Sequence, residues 1–496
     1  MCRRPERAPV DGRKQAGGDW QNAARRDCIK EIRPLLKSNG TSLFSAPAVW
    51  YFRPMLKMPD HRPIRRGRSS RYPWYVAGLM GASYAVSFVD RALVSVAGAP
   101  IKQDLGLSDS QYGLLNGTAF VVLYCLCGIP LGLLADRVDR RAIIALGILF
   151  WSGMTALCGL TASFALFFMA RIGVGLGEAS LVPAGMSLLG GIVPRDRMAR
   201  AVAIFLMGAA IGNGGALLIG GYLLNRLTLA GPLTLPLVGM IAPWRFLFLA
   251  ACLPGLVMAA LVMTIREPRR EPVSRPGLRA ALAHIGANPK AYGLLTAATA
   301  CTIILAQAPG AWLPLFYVRH LALQPGTSAM LIGGIFLISA PTGQLAGGLL
   351  TDRLQAVGIA GAAQAVMASC QLLSLGPALI FCTTDRLWLS AVAYGLYTLL
   401  VSAATPTGLA GLHALAPSQL RGILSAMLVS IVTLVGVGLG PVAIGLLTEH
   451  VLQDEQALGP SLLIVTLAAG IVGPALALAG RRSFARSADK RLALAE

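Results

Sequence analysis

GLLADR, at residues 132–137, returns as GLLTDR at residues 348–353, and each copy ends a long run of uncharged residues. A second set of matches falls on proline and glycine, with the same order and spacing in both parts of the chain: Pro183, Gly185 and Pro194 against Pro406, Gly408 and Pro417. Because these residue types are not interchangeable with ordinary apolar residues, the matches indicate a duplicated unit. Duplicated helical halves are typical of secondary transporters.

The composition excludes an ordinary soluble fold. Of the 496 residues, 55% are hydrophobic and 13% are charged, which is about half the charged share of a typical soluble domain. Long uncharged runs alternate with short charged clusters, and about 20 helical residues cross a hydrocarbon layer of roughly 30 Å. The runs predict an all-α membrane protein with twelve transmembrane helices, near 74–98, 112–134, 142–160, 163–190, 199–224, 244–265, 291–317, 327–350, 359–381, 387–412, 420–447 and 459–480.

The third and fourth helices are the least separated pair, because only Arg171 and Glu178 interrupt the stretch 142–194. That stretch is too long for one crossing. We place the break at Thr161–Ala162–Ser163, so both charges fall inside the fourth membrane helix.

The repeat and the basic breaks divide the chain into five parts. These are a basic tail at 1–71, a six-helix bundle at 72–265, a linker at 266–290, a second six-helix bundle at 291–480 and a short tail at 481–496. We expect two pseudo-symmetric bundles and a disordered first tail. The alternative for the tail is a later start, at Met55 or Met58.

The charge distribution predicts the orientation. The formal net charge is +21, and the basic residues gather in the first tail and in the loops on the same side as that tail. Basic loops stay cytoplasmic, so we expect a multi-pass protein of a bacterial-type inner (plasma) membrane with both termini in the cytoplasm. The tail suits anionic lipid headgroups better than nucleic acid, because no interleaved aromatic residues accompany its charge.

Four charged residues lie in the interior of predicted helices, away from their ends: Asp90, Arg91, Arg171 and Glu178. An ionised side chain in hydrocarbon is costly, so such residues mark functional sites by default. Helix lengths place Asp90 and Arg171 at a similar depth, within reach of each other, with Glu178 two turns along the same face as Arg171. The alternative is a buried salt bridge that only pins the first helix to the fourth.

The second half of the chain lacks these charges at the matching positions, which are Ala306, Gln307, Tyr394 and Val401. A purely architectural requirement would be expected in both halves. We predict a cavity lined by the charged residues, with additional candidates at Ser83, Ser87, Gln307 and Tyr394.

A further cluster of charges lies at the cytoplasmic ends of the second and third helices and recurs in part after the eighth. We predict a cytoplasmic gate there, built from Gly132, Asp136, Arg137, Arg140, Arg141, Asp352 and Arg353. An acidic side chain at a helix start is favoured by the helix dipole and holds neighbouring helix ends together. The alternative is ordinary positive-inside topology.

Several classes of site are excluded by motif. Seven of the nine cysteines fall inside predicted helices, and the sequence has no CxxC pair, no HExxH, no GxSxG and no P-loop. We therefore expect no metal, no cofactor and no enzymatic or ATP-driven activity.

Three segments resemble a known family. GLLADRVDRR (132–141) and ARIGVGLGEASLVPAG (170–185) resemble signatures of the major facilitator superfamily, and SFVDRALVSVAGAPIKQDLGLSDSQYGLLNG (87–117) is similar to its spinster-like branch. The resemblance covers roughly 74–480, with Asp139 standing where the family usually has a small residue. It implies the major facilitator fold, alternating access, and Asp90, Arg91, Arg171 and Glu178 as cavity residues in proton-linked export of lysolipid-like substrates.

Two other functions remain open. A symporter for carboxylates or sugar acids would use Arg91 and Arg171 to clamp the substrate anion. A non-transporting membrane receptor is the alternative of another class. For the transporter, the expected partners are a small-molecule or lysolipid-like substrate, protons and membrane lipids, with no nucleic acid, and the protein is expected to be a monomer.

Overall fold

The computed structural model describes residues 71–135, 137–194, 197–235, 239–268, 278–359, 361–417 and 419–493. The predictions made for Asp136 and for the tail before Arg71 lie outside these residues.

Within the described part of the chain, twelve helices are long and apolar enough to cross a membrane. We call them spans 1 to 12: Tyr72–Val96, Asp109–Gly128, Arg140–Leu160, Phe164–Ile192, Arg200–Ala230, Pro243–Val262, Pro289–His320, Pro325–Ala356, Ala362–Thr383, Leu387–Leu415, Arg421–Val451 and Glu455–Arg481. The twelve predicted helices are confirmed, and their ends differ from the prediction by a few residues at most positions.

Some spans are broken into shorter elements. Span 2 lies within the helices Asp109–Asn116 and Thr118–Ala135, the second of which continues past Gly128, and span 4 consists of Phe164–Glu178 and Leu181–Ile192. Span 11 contains two π-helical stretches, at Leu434–Leu439 and Leu447–Val451. Outside the spans lie the helices Gly98–Leu105 and Leu278–Ala287 and an antiparallel hairpin of Leu233–Leu235 and Gly239–Ile241. The hairpin is a small exception to the predicted all-α fold.

Side-chain caps explain two of the span boundaries. Ser163 accepts a hydrogen bond from the main-chain N–H of Leu166, which starts span 4 directly after span 3 ends at Leu160. This confirms the predicted break. Ser108 and Gln111 form a reciprocal capping box at the start of span 2, which satisfies two N–H groups that would otherwise lack partners.

The spans form two six-helix bundles, spans 1–6 and 7–12, which meet along small residues. At Gly221 of span 5 a Cβ atom would lie 2.5 Å from the main-chain oxygen of Gly326 in span 8. At Gly117 of span 2 it would lie 2.6 Å from the oxygen of Val437 in span 11. Such close backbone contact needs residues without a large side chain.

Two ends of the bundle are distinguished below. The first-loop face carries residues 97–108, which join spans 1 and 2, and the second-loop face carries residues 137–139, which lead into span 3. Since successive spans alternate in direction, residues 452–457 lie on the first-loop face and residues 263–268 on the second-loop face.

Candidate functional site

The central ion pair joins span 1 to span 4. Arg91 donates from Nε and Nη2 to the same carboxylate oxygen of Glu178, over 2.8 and 2.6 Å. The Glu178 side chain is fully buried, while 18% of the Arg91 side chain is exposed. Breaking a buried pair of this kind by removing one partner leaves an uncompensated charge.

Aromatic rings surround the guanidinium of Arg91. Its Cζ atom lies 4.5 Å from the ring centre of Phe88, 4.2 Å from Phe120 and 5.0 Å from Tyr124. A cation over ring faces is stabilised by the negative potential of the π system. The partly exposed cation is therefore embedded in an aromatic cage, which the sequence did not predict.

Asp90 is buried and separate from this pair. Neither of its carboxyl oxygens accepts a hydrogen bond in this structure. Its polar neighbours on span 3 are Trp151 and Thr155. Arg171 donates from Nη1 to the main-chain oxygen of Asp90, 3.2 Å away. The side chains of Asp90 and Arg171 therefore do not pair in this structure. Arg171 contacts the main chain of Asp90, and it is Arg91 that pairs with the carboxylate of span 4.

Glycines bring spans 2 and 3 against span 4 at this level. A Cβ atom on Gly175 would clash with the main-chain oxygen of Phe120, and one on Gly177 would lie 2.8 Å from Cβ of Trp151. Substituting either glycine would push spans 2 or 3 away from Glu178. The sequence GVGLGE at 173–178 thus positions the aromatic and polar neighbours of the charged cluster.

The other predicted cavity residues fall in different places. Ser87 is buried beside Glu178 and donates to the main-chain oxygen of Tyr84. Ser83 is buried in the contact of spans 1 and 6, where it donates to the main-chain oxygen of Leu79. Gln307 is half-buried in span 7.

Tyr394 lies in the second bundle, apart from the charged cluster. It is buried against the rings of Phe381 and Tyr397, with ring centres 5.7 and 6.4 Å away. The structure brings Asp90, Arg91, Arg171, Glu178 and Ser87 together and leaves Ser83 and Tyr394 in helix packing.

On the second-loop face, Arg141 and Asp139 tie span 3 to the end of span 6. Asp139 caps span 3 by accepting from the main-chain N–H groups of Arg141 and Ala142. Arg141 donates from Nη2 to Asp139 over 2.7 Å and from Nη1 to the main-chain oxygen of Ile265, also over 2.7 Å. Hydrogen bonds from the Arg141 guanidinium lower the pKa of the Asp139 carboxyl to about 2.

The remaining predicted gate residues occupy the same face. Arg140 approaches Glu267, with Nε and Oε1 3.7 Å apart, and a Cβ atom on Gly132 would lie 3.3 Å from Cβ of Pro183. Arg137, Asp352 and Arg353 are exposed. The contacts described for Gly132 and Arg141 lie within the first bundle, and Arg140 contacts the start of the linker.

Removing the cap at Asp139 should destabilise the protein. We expect Asp139→Ala to lower the free energy of unfolding by about 1 kcal/mol, as for other N-cap losses. Because the native pKa of Asp139 is depressed, its ionic contribution is present at neutral pH and is lost as the pH falls from about 4 toward 2. Thermal unfolding of the purified protein in detergent at pH 7 measures the loss.

The matched variant is Asp139→Asn, which keeps a capping oxygen and loses the charge. It should melt between the native protein and Asp139→Ala. Identical melting of Asp139→Ala and the native protein would contradict a capping role.

A second charged cluster, which sequence reasoning missed, joins the two bundles on the first-loop face. We call Lys102, Asp109, Arg319 and Glu455 the first-loop charge cluster. Arg319 donates to both carboxylate oxygens of Asp109, over 2.8 and 3.0 Å, and to Glu455 over 3.1 Å. Lys102 lies 3.0 Å from Asp109 and 2.8 Å from Glu455. Acidic and basic side chains therefore alternate around this cluster. The ion pairs of Asp109 with Arg319 and of Lys102 with Glu455 join the first bundle to the second.

Further contacts close the first-loop face. The Tyr112 hydroxyl of span 2 donates to the main-chain oxygen of Ala311 in span 7. Glu449 of span 11 accepts from the main-chain N–H of Ser110, at the start of span 2. The first-loop face is thus sealed by hydrogen bonds and ion pairs between the two bundles.

The described residues contain no group of three His, Cys, Asp or Glu side chains that could hold a metal ion.

Comparison with known proteins agrees with this architecture. The family model described as Major Facilitator Superfamily matches residues 80–441. The chain is 27% identical over 409 residues to an MFS-type efflux pump of Mycolicibacterium smegmatis, an alignment that covers 81% of this chain and 91% of the pump. It is 25% identical over 289 residues to the sphingosine-1-phosphate transporter SPNS2 of Danio rerio, covering 55% of this chain and 54% of that protein.

A solved structure extends the similarity to three dimensions. A bacterial homolog of the human lysosomal transporter Spinster, in an inward-facing and occupied conformation, gives a TM-score of 0.72 at 25% identity and covers 85% of this chain and 99% of its own. The chain therefore belongs to the Major Facilitator Superfamily of membrane transporters, and within it is similar to the spinster proteins.

Proposed function

We propose that the protein is a proton-coupled secondary transporter that moves an amphipathic, lipid-like organic substrate by alternating access. In the proposed orientation both termini are cytoplasmic, the first-loop face is external and the second-loop face is cytoplasmic, in a bacterial-type inner membrane. The protein works as a monomer, because each chain carries both bundles of the transport unit.

The observation that carries the proposal is the buried acid–base cluster in one bundle only. Asp90, Arg171 and Glu178 are each 1% exposed. The positions that match the cluster in the second bundle are uncharged. Charges buried at this cost within a duplicated fold indicate a function beyond holding helices together.

Protonation of Glu178 would uncouple the central ion pair. A neutral carboxyl no longer neutralises the Arg91 guanidinium, which then has a free charge at the exposed edge of the cluster. An anionic headgroup would bind that charge, so arrival of the proton and arrival of the substrate are linked. The coupled proton reaches Glu178 by way of Asp90, a second buried carboxyl that makes no ion pair with an arginine side chain, so the proposed mechanism needs both acids.

The lining of the cluster favours an amphipathic substrate over a small carboxylate. Phe88, Phe120 and Tyr124 present ring faces around the one partly exposed cation. Rings of this kind bind an apolar chain, while the guanidinium binds a headgroup oxygen. The similarity to a protein named as a sphingosine-1-phosphate transporter supports the same class.

Purified protein in liposomes that contain a pH-sensitive dye tests the proposal. Under an imposed pH gradient, external lysophosphatidylcholine or sphingosine-1-phosphate should change the internal pH, whereas tartrate and galactonate should not. A response to the organic acids alone would replace the lipid-like substrate with a carboxylate. No response to either class, with normal insertion, would favour a receptor.

A further inference from the structure

We infer that Trp151 and Thr155 of span 3 are positioning residues for Asp90, which hold its carboxyl group by two side-chain hydrogen bonds in one state of the transport cycle. The inference rests on the proposed function, since it assigns Asp90 a proton that is bound and released. Neither Trp151 nor Thr155 was distinguished in the sequence from the apolar packing residues of a membrane helix.

The first observation is that Asp90 and its two polar neighbours on span 3 have buried polar atoms without hydrogen-bond partners. Four buried atoms form no hydrogen bond in this structure: the two carboxyl oxygens of Asp90, the indole Nε1 of Trp151 and the hydroxyl oxygen of Thr155. All three residues are at most 1% exposed. Buried polar atoms in native proteins are nearly always paired. Two unpaired donors therefore neighbour two unpaired acceptors. This arrangement is best explained if Trp151 and Thr155 form hydrogen bonds with the Asp90 carboxyl in another state of the transport cycle.

The donors and acceptors are chemically matched. An ionised carboxylate can only accept, and an indole N–H can only donate. A threonine hydroxyl does both, so it can donate to the carboxylate and accept from the protonated acid. The two span 3 groups therefore serve Asp90 in either protonation state, and the indole favours the ionised one.

No arginine side chain donates a hydrogen bond to the Asp90 carboxyl. Arg171 donates to the main-chain oxygen of Asp90 and not to its carboxyl, while Arg91 is bound to Glu178. The other titratable groups that face Asp90 are Glu178 of span 4, Cys158 of span 3 and Cys252 of span 6. The hydrogen bonds from span 3 can therefore be removed without changing any charge around the carboxyl.

The position of Trp151 is itself built into the fold. Gly177, next to Glu178, has no side chain, and a Cβ atom there would lie 2.8 Å from Cβ of Trp151 and 2.9 Å from its main-chain nitrogen. Span 3 is thus packed closely against span 4 at the level of Trp151, the neighbour of Asp90. A clear control exists on the same helix in Ser152, which is equally buried and unpartnered but lies against Gly255 of span 6.

Infrared titration of the full-length protein in lipid tests the inference without a known substrate. The band of the protonated Asp90 carboxyl is identified by its absence in Asp90→Asn. In Trp151→Phe and in Thr155→Val, which removes only the hydroxyl, the midpoint of this band should rise by about one pH unit, because each loses a bond to the ionised form. Thr155→Ser and Ser152→Ala should stay near the native midpoint.

The outcomes separate the inference from the proposed function. If Asp90→Asn removes a titrating band but Trp151→Phe and Thr155→Val leave its midpoint unchanged, the positioning role is wrong and proton binding at Asp90 stands. If Asp90→Asn removes no titrating band, Asp90 carries no exchangeable proton, and both the inference and its role in coupling fail. An equal shift in Ser152→Ala would mark a general loosening of span 3 and would also overturn the inference.

Discussion

Replacing Asp90 with Asn should abolish accumulation of substrate against its gradient while leaving exchange of substrate across the membrane intact. Asparagine has nearly the same shape but cannot bind and release a proton, so the carrier can still turn over when loaded on both sides. With one proton per substrate, a gradient of about one pH unit supports a roughly tenfold accumulation. In Asp90→Asn that ratio should fall to about one.

The measurement is uptake of labelled substrate into proteoliposomes, with and without an imposed pH gradient. Asp104→Asn is a suitable control, because Asp104 pairs with Arg245 at the first-loop face and its side chain is 38% exposed. It should retain driven uptake. Full retention of driven uptake in Asp90→Asn would remove Asp90 from the coupling mechanism.

Neutralising Asp109 should open the first-loop face. Asp109 is 2% exposed and accepts from both Lys102 and Arg319. In Asp109→Asn the two cations keep only the exposed carboxylate of Glu455, and loss of one partner from a buried ion pair costs about 3 kcal/mol. The ratio of closed to open first-loop faces should therefore fall by roughly a hundredfold.

Opening of the first-loop face can be measured by labelling a cysteine introduced at Ala311. Ala311 is 7% exposed, and its main-chain oxygen accepts from Tyr112 beneath the cluster. In a variant without native cysteines, a membrane-impermeant maleimide should label Ala311→Cys at least tenfold faster when Asp109→Asn is added. Glu455→Gln is the matched control, because the Glu455 side chain is 67% exposed and exposed ion pairs contribute little to stability. Equal labelling with and without Asp109→Asn would show that the cluster does not hold this face closed.

The number of spans and their approximate ends were predictable, because hydrocarbon excludes charge and the charged clusters mark each end. Even the close pair of spans 3 and 4 could be divided at Ser163, which the structure confirms as a cap. The break in span 2 at Gly117 and the π-helical stretch Leu434–Leu439 of span 11 were not predicted, and they lie where span 2 contacts Val437 and Gly438. Helix-to-helix contact of this kind leaves no periodic pattern in either segment.

The charged cluster was predictable as a set, whereas its pairing was not. Hydropathy identifies Asp90, Arg91, Arg171 and Glu178 as charges in membrane helices. Which of two adjacent residues faces span 4 depends on the rotation of span 1, and that rotation is set by packing against spans 5 and 6. The first-loop charge cluster was hidden for another reason: Asp109 and Arg319 are far apart in sequence and each resembles an ordinary loop charge.

Simultaneous recording of substrate and proton movement in the same proteoliposomes tests the central claim most directly. Labelled substrate and an internal pH dye would be followed at zero membrane potential in the native protein and in Asp90→Asn. The account predicts that protons move in a fixed ratio to substrate in the native protein and do not move with it in Asp90→Asn. Substrate transport by the native protein with no accompanying proton movement would contradict it.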